Sequence, residues 1–540
     1  MRNIFLFYLL ILTGAFSAPL LSNAQILPVQ PADSLLTVEI LPGVRKLEFR
    51  KLDDSTQLQI LAGNVKLKQG TSYFDCDSCV INSRTNTFEA WGRVHINDSD
   101  TTNIYANHLL YLIRRRIAYL DGAVRLTDGK GSLTTPDLEY DMSTNIGTYT
   151  HGGRVVNKST VLTSREGFYY SNLRDVYFKK NVVLTDPAYN ITTDSLLYNT
   201  ESGIVRFIAS TFIRDSSGRT IETKSGYYNL QTGKAEFGQR PIIRDKNLFA
   251  TGNEIMNDDS TGIIQLRGNA IVIDSLNSTT ILAGDIYVSK KKNSFLATKK
   301  PLMIIKQDND SIYVTADTLF SARLSDLYGT KDSLVVDTLK GTKVITANNA
   351  KDSTNRYFEA YRNVRIFSDS LQAVSDSMFY SFQDSVFRLY QDPVIWAKES
   401  QVSGDTVLVF TKNKKADRLE VFENSFMASR NGPEVYNQVK STRMDAWFRD
   451  GALDSVRARG LAECIYYIQD EDSAYTGINE SKADIIDIYF GKESLQKVVF
   501  RSSVTGTIWP IRQKSPSEMR LPGFRWLEDR RPKTKYELFE

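Results

Sequence analysis

Phe88-Glu89-Ala90-Trp91-Gly92-Arg93-Val94-His95-Ile96 and Leu120-Asp121-Gly122-Ala123-Val124-Arg125-Leu126 are two copies of one pattern. An alternating apolar stretch meets a small or turn-forming residue, and a second alternation led by Val follows. Apolar residues at every second position mark a strand with one buried face. Further copies are Ile60-Leu61-Ala62-Gly63-Asn64-Val65-Lys66-Leu67, His151-Gly152-Gly153-Arg154-Val155 and Lys180-Asn181-Val182-Val183-Leu184.

With the residue before the Val-like position as marker, the copies fall at Asn64, Arg93, Ala123, Arg154, Asn181, Ser210, Pro241, Asn269 and Pro301, in steps of 27 to 32 residues. Asn363, Pro393 and Asn424 resume the series, and looser copies lie near Leu461 and Ser503. Between markers sits a second motif: Leu109-Leu110-Tyr111, Leu138-Glu139-Tyr140, Phe168-Tyr169-Tyr170, Leu196-Leu197-Tyr198 and Gly226-Tyr227-Tyr228. Turn formers such as Asn97-Asp98-Ser99-Asp100 and Thr127-Asp128-Gly129 separate the strands.

A β-unit of this size cannot bury its apolar face alone, whereas stacked copies cover one another. The expectation is an all-β chain, an elongated open β-jellyroll of ~30-residue repeats in two blocks. Tyr111, Tyr140, Tyr170, Tyr198 and Tyr228 should then form one inward ladder, and Val65, Val94, Val124, Val155 and Val182 another.

Residues 1–24 read as a signal peptide, with Arg2, an apolar run over residues 4–12 and Ser22-Asn23-Ala24 before Gln25. Residues 45–322 form the first block, 323–356 a degenerate repeat or joint, and 357–510 the second block. Residues 511–540 form a basic, proline-containing tail that reads either as a solvated end or as a docking segment.

Composition excludes several functions. Lys and Arg total 67 against 63 Asp and Glu, so a net charge of +4 gives no field for nucleic acid. Hydrophobic residues at 41% can fill a core. No P-loop, nucleophile elbow or metal-ligand cluster stands out, so the chain reads as a non-enzyme without cofactor or metal. Cys76 and Cys79 read as a local bridge or two packed thiols. Arg93, Arg125, Arg154, Lys179 and Lys180 lie at or beside markers and read as surface charge or as contacts for phosphate groups.

The marker followed by alternating apolar residues, with Ala-Asn-His-Leu-Leu-Tyr at 106–111 and Thr-Thr-Asp-Ser-Leu-Leu-Tyr at 192–198, resembles the OstA-like family, the jellyroll module of the lipopolysaccharide transport proteins LptA, LptC and the periplasmic part of LptD. The resemblance covers about residues 58–320 well and 357–510 loosely. It implies a V-shaped jellyroll holding acyl chains, joined end to end with LptC-like and LptD-like jellyrolls or with further copies of itself, in the periplasm between the inner and outer membranes. The chain is longer than a typical LptA, and too little remains after the repeats for an LptD barrel. The candidate lipid-facing residues are Val94, Ile96, Leu109, Tyr111, Val124, Leu126, Leu138, Tyr140, Phe168, Tyr170, Val182, Leu184, Leu196 and Tyr198. The same residues would line a closed β-core. The rival readings are a secreted β-repeat protein that binds or acts on polysaccharide, and a structural adhesin.

Overall fold

Gly92 and Arg93 take left-handed backbone conformations, φ +75° and +44°, in the middle of the strand Thr87–Asp98. Around them the ladder to Thr102–Leu112 shifts: Trp91 faces His108, but Val94 faces Ala106. Two residues therefore oppose one, which is a β-bulge, and a bulge bends its strand. Glycine suits the first position because it carries no Cβ to clash at positive φ.

The bend recurs with the repeat. Gly63–Asn64, Gly122–Ala123, Lys180–Asn181 and Gly268–Asn269 are further left-handed pairs. So the sequence marker is the corner of most repeats: Asn64, Arg93, Ala123, Asn181, Asn269, Asn363, Asn424, Leu461 and Ser503 all have positive φ, whereas Arg154 and Ser210 do not, and beside Arg154 it is Gly152 that is left-handed. Where the marker is proline the corner sits ahead of it, at Gln239–Arg240, Lys299–Lys300 and Gln391–Asp392, because the proline ring fixes φ near −65°.

The computed structural model describes residues 37–306, 311–328, 333–337, 341–345, 355–412, 415–449, 452–470, 472, 474–491 and 494–539. The signal-peptide reading of residues 1–24 lies outside them. Apart from the short helix Leu324–Tyr328 and two 3-10 turns, the described elements are strands, as an all-β chain requires. The chain divides into two compact units, Met1–Gly122 with Asp141–Ser143, and Ala123–Tyr140 with Thr144–Glu540.

In the first unit the half-strands on either side of the corners face each other across an aromatic core. Phe74, past one corner, lies 5.1 Å from Phe88 and 4.9 Å from Tyr111, ring centre to ring centre. The aromatic pairs sit in tilted and edge-on geometries that suit their quadrupoles. Cys76 and Cys79 are both free and buried here, so they are packed thiols and not a bridge. A hydrogen bond with Cys76 and burial together push the Cys79 thiol well above its ordinary value, which keeps it protonated and unreactive.

The second unit is one antiparallel ladder. A single inward row runs across it through Leu133, Val155, Leu162, Leu184, Ile191, Ile213, Ile221 and Ile243. The ladder continues past the interval 323–356, because Thr318–Arg323 pairs directly with Arg356–Phe367, ending at Arg323 opposite Arg356. The interval is thus an excursion from an unbroken ladder and carries the hairpin Ser333–Asp337/Gly341–Ile345.

Hydroxyls close the inner side of the corners. Thr135, Ser164, Thr193 and Thr223 each donate to the carbonyl two residues on, at 2.7 to 3.3 Å. Each bond spans the residue at a corner, and a buried carbonyl without a partner is costly.

Residues 511–539 are not a solvated end. Met519 and Leu521 are buried against Phe426, Ala428, Ile465 and Ile478. Leu527 packs on Val374, Val394 and Trp396, and Leu538 on Leu302 and Phe367.

One close approach yields a test. Tyr149 lies across the strand Glu166–Tyr170 so tightly that a Cβ on Gly167 would stand 2.4 Å from its hydroxyl oxygen. Gly167→Ala should cost about 1–3 kcal/mol by overpacking, although alanine otherwise suits a strand better than glycine. In a Tyr149→Ala background the same substitution should cost measurably less, because the two sites share one volume. Urea unfolding of the four proteins measures both effects.

Candidate functional site

The tyrosine nearest the middle of each repeat points inward. Tyr111, Tyr140, Tyr169, Tyr198 and Tyr228 are all at most 4% exposed, spaced 29, 29, 29 and 30 residues apart. This corrects the sequence reading at one repeat. Tyr170 and Phe168 are only half-buried, and Tyr169 between them is inside. The register explains it: Tyr169 faces Val176 and Gly147, which lie on the inward face. Phe168 instead stacks on Tyr177 at 6.2 Å on the other face. Three consecutive aromatics leave the phase of a strand undetermined, and a one-residue slip exchanges the faces.

The other twelve candidates are also buried. Val94, Ile96, Leu109 and Tyr111 lie in the first unit, and Val124, Leu126, Leu138, Tyr140, Val182, Leu184, Leu196 and Tyr198 in the second, each at most 2% exposed. Glu139 is exposed on the opposite face. The sequence reading missed Tyr149 and Phe178, also fully buried inside. Phe178 faces Leu196 in the ladder and stands an even four residues before Val182, so alternation carried back through polar Lys180 would have found it.

At the ends of the half-strands, opposite the corners, polar groups join the two arms. In the first unit the Tyr111 hydroxyl donates to Gln69 at 2.5 Å, and the Gln69 amide donates to the Ile113 carbonyl at 3.1 Å. In the second unit the Asn157 amide donates to Tyr198 at 2.9 Å and to the Thr200 carbonyl at 2.6 Å. Thr200 in turn reaches Asp128 at 3.3 Å. Farther along, Tyr189 from one arm and Tyr228 from the other both donate to Asp259, at 2.5 and 3.1 Å. Buried Arg219 lies 2.8 Å from Asp215 and 3.9 Å from Asp259. Periodicity could not reveal these groups, because Gln69, Asn157 and Asp259 stand among turn residues where polar side chains are ordinary.

Residues 40–194 match the OstA-like protein family. The match spans under a third of the chain and contains every candidate position except Leu196 and Tyr198. Among solved structures the chain is similar to LptH from Pseudomonas aeruginosa, described as the LptA-homologous periplasmic component of the conserved lipopolysaccharide transport device. The identity is 13% and the TM-score 0.19, over 27% of this chain and 82% of that one. No curated protein matches.

Within the OstA-like segment the basic marker residues sit at corners, not at the row of turns. Arg93 pairs with Asp77 at 2.5 Å and Lys180 with Glu166 at 2.6 Å, both on the surface. No group of His, Cys, Asp and Glu side chains among the described residues could hold a metal ion.

The electrostatics of the arm-to-arm bonds follow from their burial. Burial acts to raise the Asp259 carboxyl, but hydrogen bonds from Tyr189, Asn257 and Tyr228 outweigh it and hold the group below its ordinary value of 3.8. Burial and the bond to Asp259 push Tyr189 up to about 12. Asp128 is likewise held low, by bonds from Tyr169, Gly131, Lys130 and Thr200 that outweigh burial. A carboxyl lowered in the folded state contributes stability above its unfolded pKa and loses it as pH falls through the folded value. The latches should therefore hold at neutral pH and loosen below pH 3.8. Hydrogen-exchange protection at Asp186, Ala188 and residues 230–233, taken relative to the intrinsic rate at each pH, should fall over that window in the wild type. Asp259→Asn should already exchange faster at neutral pH and show a smaller acid-induced change.

Proposed function

We propose that the chain is a periplasmic lipopolysaccharide-binding protein that carries acyl chains along the interior of its repeats and bridges the inner and outer membranes. The observation that carries this reading is the pairing of an apolar, tyrosine-laddered interior with a seam of a few polar bonds along one side. The OstA-like match over residues 40–194 supports it.

The magnitudes permit opening. A neutral hydrogen bond contributes about 0.5–1.5 kcal/mol net. Each acyl CH₂ removed from water gains about 0.8 kcal/mol. A few methylenes therefore offset one latch, and a whole acyl chain offsets several. Opening at the corners would instead break the ladder and strand many backbone groups. Lipid would enter at the turns and lie against Tyr140, Tyr169 and Tyr198, with its phosphates outside. The arms move and nothing is catalysed, so the energy for transport comes from another protein.

End-to-end joining has edges to use. Lys46–Lys51 pairs with Gln57–Gln69 on one side, and its Phe49 is 69% exposed. Thr505–Pro510 pairs with Tyr475–Gly491 on one side, and its Ile508 is 66% exposed. Strand edges unpaired among the described residues can template another chain, so LptC-like and LptD-like jellyrolls, or further copies, are the partners at these edges.

Photocrosslinking tests the lipid reading. A photoreactive residue at 140 or 169 should form an adduct with lipopolysaccharide, while one at 139 or 170 should not. Equal labelling of both faces, or of neither in the folded protein, refutes an acyl track in the interior.

A further inference from the structure

In one stretch of the strands between Arg356 and Gly491, around Trp396 and Ala428, the sheet is buried on both faces. Val394, Ile395 and Trp396 are consecutive and all buried, as are Phe426, Met427 and Ala428. A continuous apolar run of this kind belongs to a strand covered on both sides. Ile395 and Met427 continue the inward row, through Val402. Their neighbours form an outward row: Phe367, Gln372, Trp396, Gln401, Ala428 and Gln438, each facing the next across the ladder. Residues 519–538 lie on that outward row.

The contact is built like peptide recognition. Gln438 donates to the Met519 carbonyl and accepts from the Leu521 amide, both at 2.9 Å. Two strands away Gln401 repeats the arrangement, donating to the Arg525 carbonyl at 2.9 Å and accepting from the Leu527 amide at 2.8 Å. Two strands farther, Gln372 accepts from the Arg531 guanidinium at 2.9 and 2.7 Å. The three glutamines are at most 6% exposed. Gln438 and Gln401 thus read the main chain six residues apart and Gln372 reads a side chain, while apolar sites beside them take Leu521, Leu527 and Leu538. Main-chain bonds for affinity with pockets for alternate side chains is a known way to bind an extended segment.

The segment adds no strand to the sheet. Its described elements are the 3-10 turns Glu528–Arg530 and Lys535–Leu538. The ladder beneath it is complete without it. Removing it would bare Trp396, Val394 and Phe426 while leaving the sheet paired, and an exposed apolar face of that size seeks a partner.

We propose that this outward face is a binding site for an extended peptide, filled in cis by residues 519–538, and that the same segment of a second copy is its ligand in trans. The site belongs to the sheet and the ligand to the chain end, so exchange between copies preserves every contact while changing which chain supplies it.

Two full-length variants separate site from ligand. Leu521→Asp with Leu527→Asp spoils the segment and leaves the face intact. Gln401→Leu with Gln438→Leu spoils the face and leaves the segment intact. A fluorescent peptide of residues 515–539 should bind the first variant at least tenfold more tightly than the wild type, whose face is occupied, and should not bind the second. Mixing the two variants should give a 1:1 heterodimer on size exclusion. Peptide binding without a heterodimer overturns the second copy as ligand, and failure of both overturns the site. If the aspartate variant does not fold, wild-type protein cut after folding at an engineered protease site between Lys514 and Ser515 serves instead. The cut segment should stay bound and exchange with labelled peptide, whereas loss of the segment with no uptake of labelled peptide overturns the proposal.

Discussion

Everything in the structure depends on a bend placed in the middle of each strand. A flat sheet of these residues would leave its apolar face in water, and two separate sheets would leave edges exposed. The left-handed pair at each corner lets one strand serve both arms, so each repeat covers its own inner face and stacks on the next. The bulge interrupts the ladder there, and a Ser or Thr hydroxyl donates to a carbonyl across the corner, as at Thr135 and Thr223. A residue with positive φ is otherwise uncommon outside glycine. Here asparagine, arginine, lysine and even leucine accept it, because the stacked repeats determine the conformation on both sides.

The two sides of the arms differ in kind. At the corners the connection is covalent and its polar groups are satisfied by fixed hydroxyls. At the turns the arms meet through single side chains, Gln69, Asn157 and Asp259, that can part without breaking the ladder. Weak and reversible bonds on one side, with a hinge of continuous chain on the other, are what a groove that opens would need. In the later strands the outward face is covered as well, by the chain end, and there the alternating pattern gives way to uninterrupted apolar runs.

Much of the fold was legible because the repeat writes its geometry into the sequence. Most of the marker series turned out to be the corner itself, and its offset at Pro241, Pro301 and Pro393 reflects proline's fixed φ. Twelve of the fourteen lining positions are inside, since strict alternation leaves one choice of face. Phase was lost where alternation is absent, in Phe168-Tyr169-Tyr170, and only the pairing with Gly147 and Val176 decides it. The polar seam was not legible, because a glutamine or aspartate that spans two arms looks in sequence like any turn residue. Nor was the fate of residues 511–539. Their prolines and arginines read equally well as a free end, while the face that holds them is signalled by Val394-Ile395-Trp396 more than a hundred residues away.

The central claim is that the apolar interior is reached by parting the arms at the turns. Spin labels at Ala188→Cys and Thr232→Cys, on turns that flank the Tyr189–Asp259–Tyr228 bonds, would report the gap directly in a background with Cys76, Cys79 and Cys464 replaced by alanine. Pulsed dipolar spectroscopy should show one narrow distance in the free protein and a longer, broader one when lipopolysaccharide is bound. An unchanged narrow distance with lipid demonstrably bound would contradict the account, because the lipid would then lie elsewhere than in the interior.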